Sequence, residues 1–166
     1  KLATEELVKH YGTDFQMKVY IARFHNVYGP YGSWCGGREK APAAFLRKAY
    51  TSTYDFEIWG NGEQTRSFMY IDDCIYGTQM LLHSDIIEPI NIGSAQMVTI
   101  NELVDIAENI AGIKVKRNYN LDAPKGVRGR SSDNTMIEKL CDWSPRISLE
   151  DGLEKTYKWI YDQIRK

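Results

Sequence analysis

The sequence has no long apolar run, no paired cysteines and no surplus of charge of one sign, and each absence removes a class of function. Hydrophobic residues make up 43% of its 166 positions. The apolar runs are nevertheless only a few residues long, far short of the roughly 20 that a membrane-crossing helix needs. Cys35, Cys74 and Cys141 are odd in number and far apart, with no CxxC pair. Neither a disulfide framework nor a zinc site follows from that spacing, and a reducing, cytoplasmic setting is expected. Lys plus Arg number 21 against 22 Asp plus Glu, a net charge of -1, so there is no global basic field to draw nucleic acid or a membrane surface. Any anionic ligand must be met by local cations. No signal or transit pattern opens the chain, and it begins at Lys1 inside a helical pattern. Such a start is expected of a chain cut from something longer. Neither Gly-x-Gly-x-x-Gly after a strand nor Gly-x-x-x-x-Gly-Lys-Ser/Thr occurs, so no nucleotide-phosphate loop is recognisable.

What is present reads as alternating helices and short strands. Leu2, Leu7 and Tyr11 recur at helical intervals, and Gly12 is expected to stop that helix. Met17 to Phe24 reads as a strand rich in β-branched and aromatic residues. A Gly- and aromatic-rich loop follows, and Pro42 suits the first turn of a helix over Ala43 to Ala49. Asp55–Trp59 and Thr65–Ile71 read as strands joined by Gly60-Asn-Gly-Glu, a turn with hairpin chemistry. Asp72 or Asp73 is expected to cap a helix running to about Leu82, with Ile75, Met80 and Leu81 on its buried side. Pro89 to Gly93 is a short apolar strand. Asn101 is expected to cap a helix from Glu102 to Ala111, whose Leu103, Ile106, Ala107 and Ile110 mark one buried face. Val115 to Tyr119 fits an edge strand, Leu121 to Ser132 a loop, Asp133 to Leu140 a helix, and Leu149 to Ile164 a final amphipathic helix. The order is that of an α/β fold with a small α+β portion attached.

Chemistry-bearing residues concentrate in the loop from Arg23 to Phe45 and in a scattered set of cations. Arg38-Glu39-Lys40 is either a solvated charge triplet at a helix start or a lysine with a neighbouring cation and a carboxylate to orient it. In the second case Lys40 can act as a general acid or base, provided burial or that cation lowers its pKa from about 10.4. Asn26, Lys48, Arg66, Arg128 and Arg130 lie in or beside expected loops and strand ends. Arginine forks match phosphate oxygens and Asn supplies an amide donor, so this set can grip a diphosphate; the alternative is a collection of surface ion pairs. His25 has no second His or carboxylate at metal-ligand spacing, so no metal is expected. Tyr28, Tyr31, Trp34 and Trp59 are available either to stack on a base or sugar or to fill the core.

Three stretches, Arg23-Phe-His-Asn-Val-Tyr-Gly-Pro30, Trp59 to Asp73 (WGNGEQTRSFMYIDD) and Asn91-Ile-Gly93, together resemble the C-terminal half of an extended short-chain dehydrogenase/reductase acting on a nucleotide sugar. Tyr28 to Phe45 (YGPYGSWCGGREKAPAAF) and Gly126-Val-Arg-Gly-Arg-Ser-Ser-Asp-Asn134 narrow the resemblance to the GDP-mannose 3,5-epimerase family. That resemblance implies Rossmann-type parallel-sheet elements at 1–24 and 69–93, with a nucleotide-sugar-binding domain at 25–68 and 94–166. It implies NAD, bound mainly by an N-terminal half that is absent here, GDP-mannose or a related nucleotide sugar as substrate, and a homodimer when full length. The reaction implied is oxidation at C4, epimerisation at C3 and C5, and re-reduction. A C4 ketone lets an adjacent carbanion delocalise as an enolate. Lys40 matches the lysine of the family's acid/base pair, whose cysteine partner lies upstream and is not Cys35. Lys1 matches the lysine of Tyr-x-x-x-Lys, a catalytic and cofactor-binding position, and His25 falls with it on the cofactor side. Asn26, Glu39 and Lys48 match substrate contacts, and Arg66 with Arg128 or Arg130 the diphosphate positions. Other readings on the same fold are a nucleotide-sugar 4-epimerase, a 4,6-dehydratase, or a non-catalytic binding fragment.

Overall fold

In the computed structural model, residues 1–51, 55–124 and 126–166 are described; Lys125, in the expected Leu121 to Ser132 loop, lies outside them. Helix α1 (Leu2–Asp14) runs through Gly12 instead of stopping there. It leads to β1 (Ala22–Phe24), which pairs in parallel with β6 (Ile90–Ile92), Ile90 N–H donating to Ile21 O at 2.9 Å. The expected strand from Met17 is thus shorter, because β6 offers only three partners. A ladder that the sequence did not suggest, β2 (Val27–Tyr28) with β5 (Met69–Tyr70), also runs parallel.

Helix α2 (Ala41–Tyr50) has its proline in the first turn, as expected. Strand β3 (Asp55–Trp59) alternates exposed and buried residues, sending Phe56 and Ile58 into the core. It does not form a hairpin with β4 (Thr65–Ser67). Instead β3 pairs in parallel with β8 (Lys116–Asn120), while β4 lies between β7 (Met97–Thr99), antiparallel, and β9 (Gly129–Arg130), parallel. The Gly60–Gly62 turn is real but serves another purpose. Gly62 has φ +77, and a Cβ there would sit 2.2 Å from Asn101 Oδ1. Asn101 N–H donates to Gly62 O at 3.1 Å, so the turn is tied to a helix start and the two strands are led into different sheets.

Helix α3 (Ile71–Leu82) has neither Asp72 nor Asp73 as its cap; Tyr70 holds that position without a side-chain bond. Asp73 is buried, and its two carboxylate oxygens accept from Arg146 N–H and Ile147 N–H, both at 3.0 Å. Ile75, expected inside, is exposed, and Cys74, Gly77 and Leu81 take the buried face. Helix α4 (Ile100–Ala111) starts two residues earlier than expected. Thr99 is its cap, in a reciprocal capping box with Glu102, and Gly112 closes it in the left-handed region. Helices α5 (Thr135–Cys141) and α6 (Leu149–Ile164) complete the chain.

Two apolar clusters result. One gathers α2, β3, α4 and α6 through residues such as Leu46, Phe56, Leu103 and Leu153. The other packs Met69, Cys74, Ile90 and Ile92 against Ile137 and Trp143. All three cysteines are free thiols; Cys74 and Cys141 are buried, and burial pushes both thiols up from their ordinary value. Among the described residues, no helix is long and apolar enough to cross a membrane, and no three His, Cys, Asp or Glu side chains are placed to hold a metal ion.

Candidate functional site

A cleft of about 550 Å³ opens where α2, β3 and β4 converge. Helix α2 lines it with Ala41, Ala44, Phe45 and Lys48, the i, i+3, i+4, i+7 set of one helical face. The opposite wall follows the two-residue period of strands: Glu57 and Trp59 from β3, then Arg66 of β4 with Gln64 and Phe68 flanking that strand. Lys40, the N-cap of α2, and Asn26, just before β2, also line it.

Asn26 lies between β1 and β2 with φ 42, a left-handed conformation that Asn tolerates better than most residues. Its Nδ2 donates to Ser67 O at 2.9 Å and its own carbonyl accepts from Met69 N–H at 3.2 Å. The side chain is therefore fixed against β4 before any ligand arrives. Lys40 is the N-cap residue of α2, exposed, with Nζ 3.5 Å from Val27 O. The loop that delivers it is pinned from below by a residue the sequence did not single out. Arg47 Nη2 donates to Glu39 Oε1 at 2.9 Å and Arg47 Nε donates to Trp34 O at 3.1 Å, while Glu39 Oε2 accepts from Gly37 N–H at 2.7 Å. The Glu39 side chain is only 9% exposed. Its own backbone amide, together with Arg47 and Gly37, holds its carboxyl below the ordinary value against the opposing effect of burial. Glu39 thus neutralises Arg47 rather than Lys40.

With Glu39 occupied, the cations Lys40, Lys48 and Arg66 dominate the cleft. Arg130 does not line it but stands beside it: β4 and β9 pair Arg66 with Arg130 in register, so their side chains project to the same face. The last motif of the Asn91-Ile-Gly93 stretch explains how β9 gets there. A Cβ at Gly93 would lie 2.5 Å from Ser132 Cβ and 2.7 Å from His25 Cβ. Only glycine lets the Arg128 to Asp133 loop dock on the end of β6, where Asn134 Nδ2 also donates to Gly93 O at 2.9 Å.

The cleft therefore brings together Asn26, Glu39, Lys40, Lys48 and Arg66. Lys1, exposed at the N-cap of α1, His25, held under Gly93, and Arg128 do not line it. Of the four aromatics considered for stacking, Tyr28 is core, and only Trp59, 55% exposed, faces this cleft. Arg47, Glu57 and Gln64 are the residues missed. Arg66 and Phe68 fell within the expected strand from Thr65, with Gln64 just before it, whereas Arg47 showed no local signal. A hollow of similar size, about 590 Å³ beside Tyr31, Trp159 and Arg165, takes only Tyr31 of the residues considered for the site. Chemically, the main cleft offers a cationic wall for a polyanion, with the Lys40 ammonium among its lining groups.

The model of the NAD dependent epimerase/dehydratase family matches residues 1–93. The chain is 54% identical over all 166 residues to GDP-mannose 3,5-epimerase 1 of Oryza sativa subsp. indica, and it spans 44% of that protein's length. The fold superposes on UDP-glucose 4-epimerase of Thermotoga maritima, solved with UDP-glucose, with a TM-score of 0.91 at 26% identity, covering 99% of this chain and 52% of that one. It also superposes on UDP-glucuronic acid 4-epimerase of Bacillus cereus, solved with UDP-glucuronic acid and NAD, with a TM-score of 0.86 at 32% identity, covering 98% of this chain and 51% of that one. On its sequence and its fold, the chain belongs to the NAD dependent epimerase/dehydratase family.

Proposed function

We propose that this chain is the substrate-binding part of an NAD-dependent epimerase that converts GDP-D-mannose to GDP-L-galactose by oxidation at C4, inversion at C3 and C5, and re-reduction. The observation that carries this reading is the convergence of Asn26, Glu39, Lys40, Lys48 and Arg66, scattered over 41 positions of sequence, on one cleft. In this reading Arg66 takes the diphosphate with Arg130, in preference to Arg128, because β9 sets Arg130 level with it. Asn26 and Lys48 contact the ligand from opposite walls, and Glu39 contributes by shaping the loop, since its carboxylate is engaged by Arg47. Lys40 moves the proton at the carbon next to the C4 ketone.

The residues here fit only the edge of the cofactor. An apolar hollow of about 580 Å³, lined by Val27, Gly29, Pro30 and Ile71 among others, suits a flat ring. No Gly-x-Gly-x-x-Gly is available to cradle the pyrophosphate. When bound, NAD supplies the hydride acceptor for C4; in this proposal Lys1 and His25 approach it, and the part of the relatives' length that this chain does not span holds it. The 166-residue chain alone is then expected to give no turnover. The division into cofactor-side segments, 1–24 and 69–93, and substrate-side segments, 25–68 and 94–166, belongs to the same proposal, as do a cytoplasmic location and a homodimer. The dimer is supported by α1, which buries no residue and leaves Leu2, Leu7 and Tyr11 exposed, and sedimentation of the native protein tests it.

The decisive experiment is Lys40→Ala in the native full-length polypeptide. GDP-mannose should still reduce the bound NAD, while exchange of the C3 and C5 protons with solvent disappears. Unchanged exchange removes Lys40 from this role.

A further inference from the structure

One group in the cleft is out of keeping with the rest. Among a set of cations that suits a diphosphate stands Glu57, an exposed carboxylate with which no Lys or Arg pairs among the described residues. A carboxylate facing phosphate oxygens would weaken binding, so it must meet a different part of the ligand. Its surroundings say which. Glu57 and Trp59 are alternate residues of β3, on one face, and both line the cleft. Strand β8 runs alongside in parallel and sets Asn120 opposite Trp59, where Asn120 Nδ2 donates to Glu57 Oε1 at 2.9 Å. An indole face, an oriented carboxylate and an amide donor therefore stand side by side.

Resting on the reading of this cleft as a GDP-sugar site, we infer that Glu57, oriented by Asn120, reads the edge of the guanine and makes the site selective for that base. Guanine presents an acceptor at O6 and two donors, N1–H and N2–H. Asn120 keeps a second N–H for the acceptor, and the two carboxylate oxygens, each able to accept more than one bond, meet the two donors. Adenine sets the unprotonated N1 against the carboxylate and uracil sets a carbonyl beside its single N–H, so each leaves a lone pair facing a lone pair. A mispaired or unpaired buried polar group is the strongest lever a site has for rejecting a near relative. Trp59 supplies a stacking face, which any base can use and which does not discriminate.

The test is calorimetric titration of the native full-length protein and its Glu57→Gln variant with GDP, IDP, ADP and UDP. IDP keeps N1–H and lacks the amino group. The wild type should bind GDP most tightly. In Glu57→Gln the amide N–H opposes the guanine amino group, so GDP should weaken about tenfold or more while IDP changes little, collapsing the GDP-over-IDP ratio. Asn120→Ala, which frees the carboxylate without removing it, should weaken GDP by a smaller factor and leave UDP unchanged. If the wild type prefers GDP and the ratio survives in a folded Glu57→Gln, the assignment of Glu57 is overturned while the function proposed above stands. If the wild type binds none of the four, that function fails and this inference with it. Circular dichroism establishes folding; should Glu57→Gln not fold, an Asn120→Ala protein with undiminished GDP affinity overturns the assignment.

Discussion

The pinning of the Lys40 loop gives a prediction that needs no catalysis to check. In Arg47→Met the aliphatic stem is kept and the guanidinium removed, which deletes the donation to Glu39 Oε1 at 2.9 Å and that to Trp34 O at 3.1 Å. The second is an ordinary bond to a neutral carbonyl, worth about 1 kcal/mol, and the first joins two charges at a carboxylate only 9% exposed, worth roughly 1.5–3 kcal/mol. Arg47 itself is 28% exposed, so solvent already screens part of the attraction and the lower half of that range is the better guide. With that lower half the sum, about 2.5–3.3 kcal/mol, multiplies the open population of the loop roughly 60- to 200-fold. The Gly37 amide reports it directly, because its hydrogen bond to Glu39 Oε2 depends on Glu39 staying in place. Native-state hydrogen exchange should show Gly37 and its neighbours losing protection, while amides of α4, whose Leu103, Val104 and Ala107 are buried in the core cluster, keep theirs. Unchanged exchange at Gly37 refutes the idea that Arg47 holds the loop. Equal loss everywhere would mean that Arg47 serves global stability instead.

Gly93→Ala should lower stability by about 1–3 kcal/mol, since its Cβ must displace Ser132 or His25; an unchanged urea midpoint rejects the close docking of the Arg130 loop. Thr99→Ala should cost about 1 kcal/mol by opening the capping box of α4, whereas the sequence-based choice of Asn101 as cap predicts no loss at Thr99. Acid sensitivity follows from Glu108, buried within α4. Burial alone would raise its carboxyl, but Lys114, the Val115 amide and Arg117 outweigh it and hold the group below its ordinary value of 4.5. A carboxyl depressed in the fold contributes stability above that ordinary value and loses it as pH falls through the lower, folded value. Urea unfolding below pH 4.5 should therefore show declining stability, and Glu108→Gln should flatten that decline; an identical acid limb in the variant would reject Glu108 as its source.

Much of the fold was legible because periodicity is a local property. Leu103, Ala107, Leu149, Leu153 and Ile160 announced their helices and are buried where those patterns put them. The errors occurred where a distant partner decided the outcome. Gly60-Asn-Gly-Glu has hairpin chemistry, yet Asn101, 39 positions beyond Gly62, holds the turn and β8, 61 positions beyond its partners, holds the strand. Asp73 has the composition of a helix cap, but the backbone of Arg146 and Ile147 claims both its oxygens. The candidate site divides in the same way. Lys40, Asn26 and Arg66 stood in recognisable stretches, while the state of Glu39 depends on Arg47, one helical face removed and silent in sequence.

The same division bears on how a chain with a net charge of -1 makes an anion site. Its acidic residues are disposed of individually: Glu39 on Arg47, Asp73 on backbone amides, Glu108 on Arg117 and Lys114. Of these only Glu39 lines the cleft, and its pairing with Arg47 leaves Lys40, Lys48 and Arg66 less opposed, so the local field is set by the pairing and not by the total. Glu57 escapes that disposal, since Asn120 orients it without neutralising it. An arrangement that neutralises one carboxylate of the cleft and spares another on the wall opposite α2 suits a ligand that is anionic in its middle and presents N–H donors at one end.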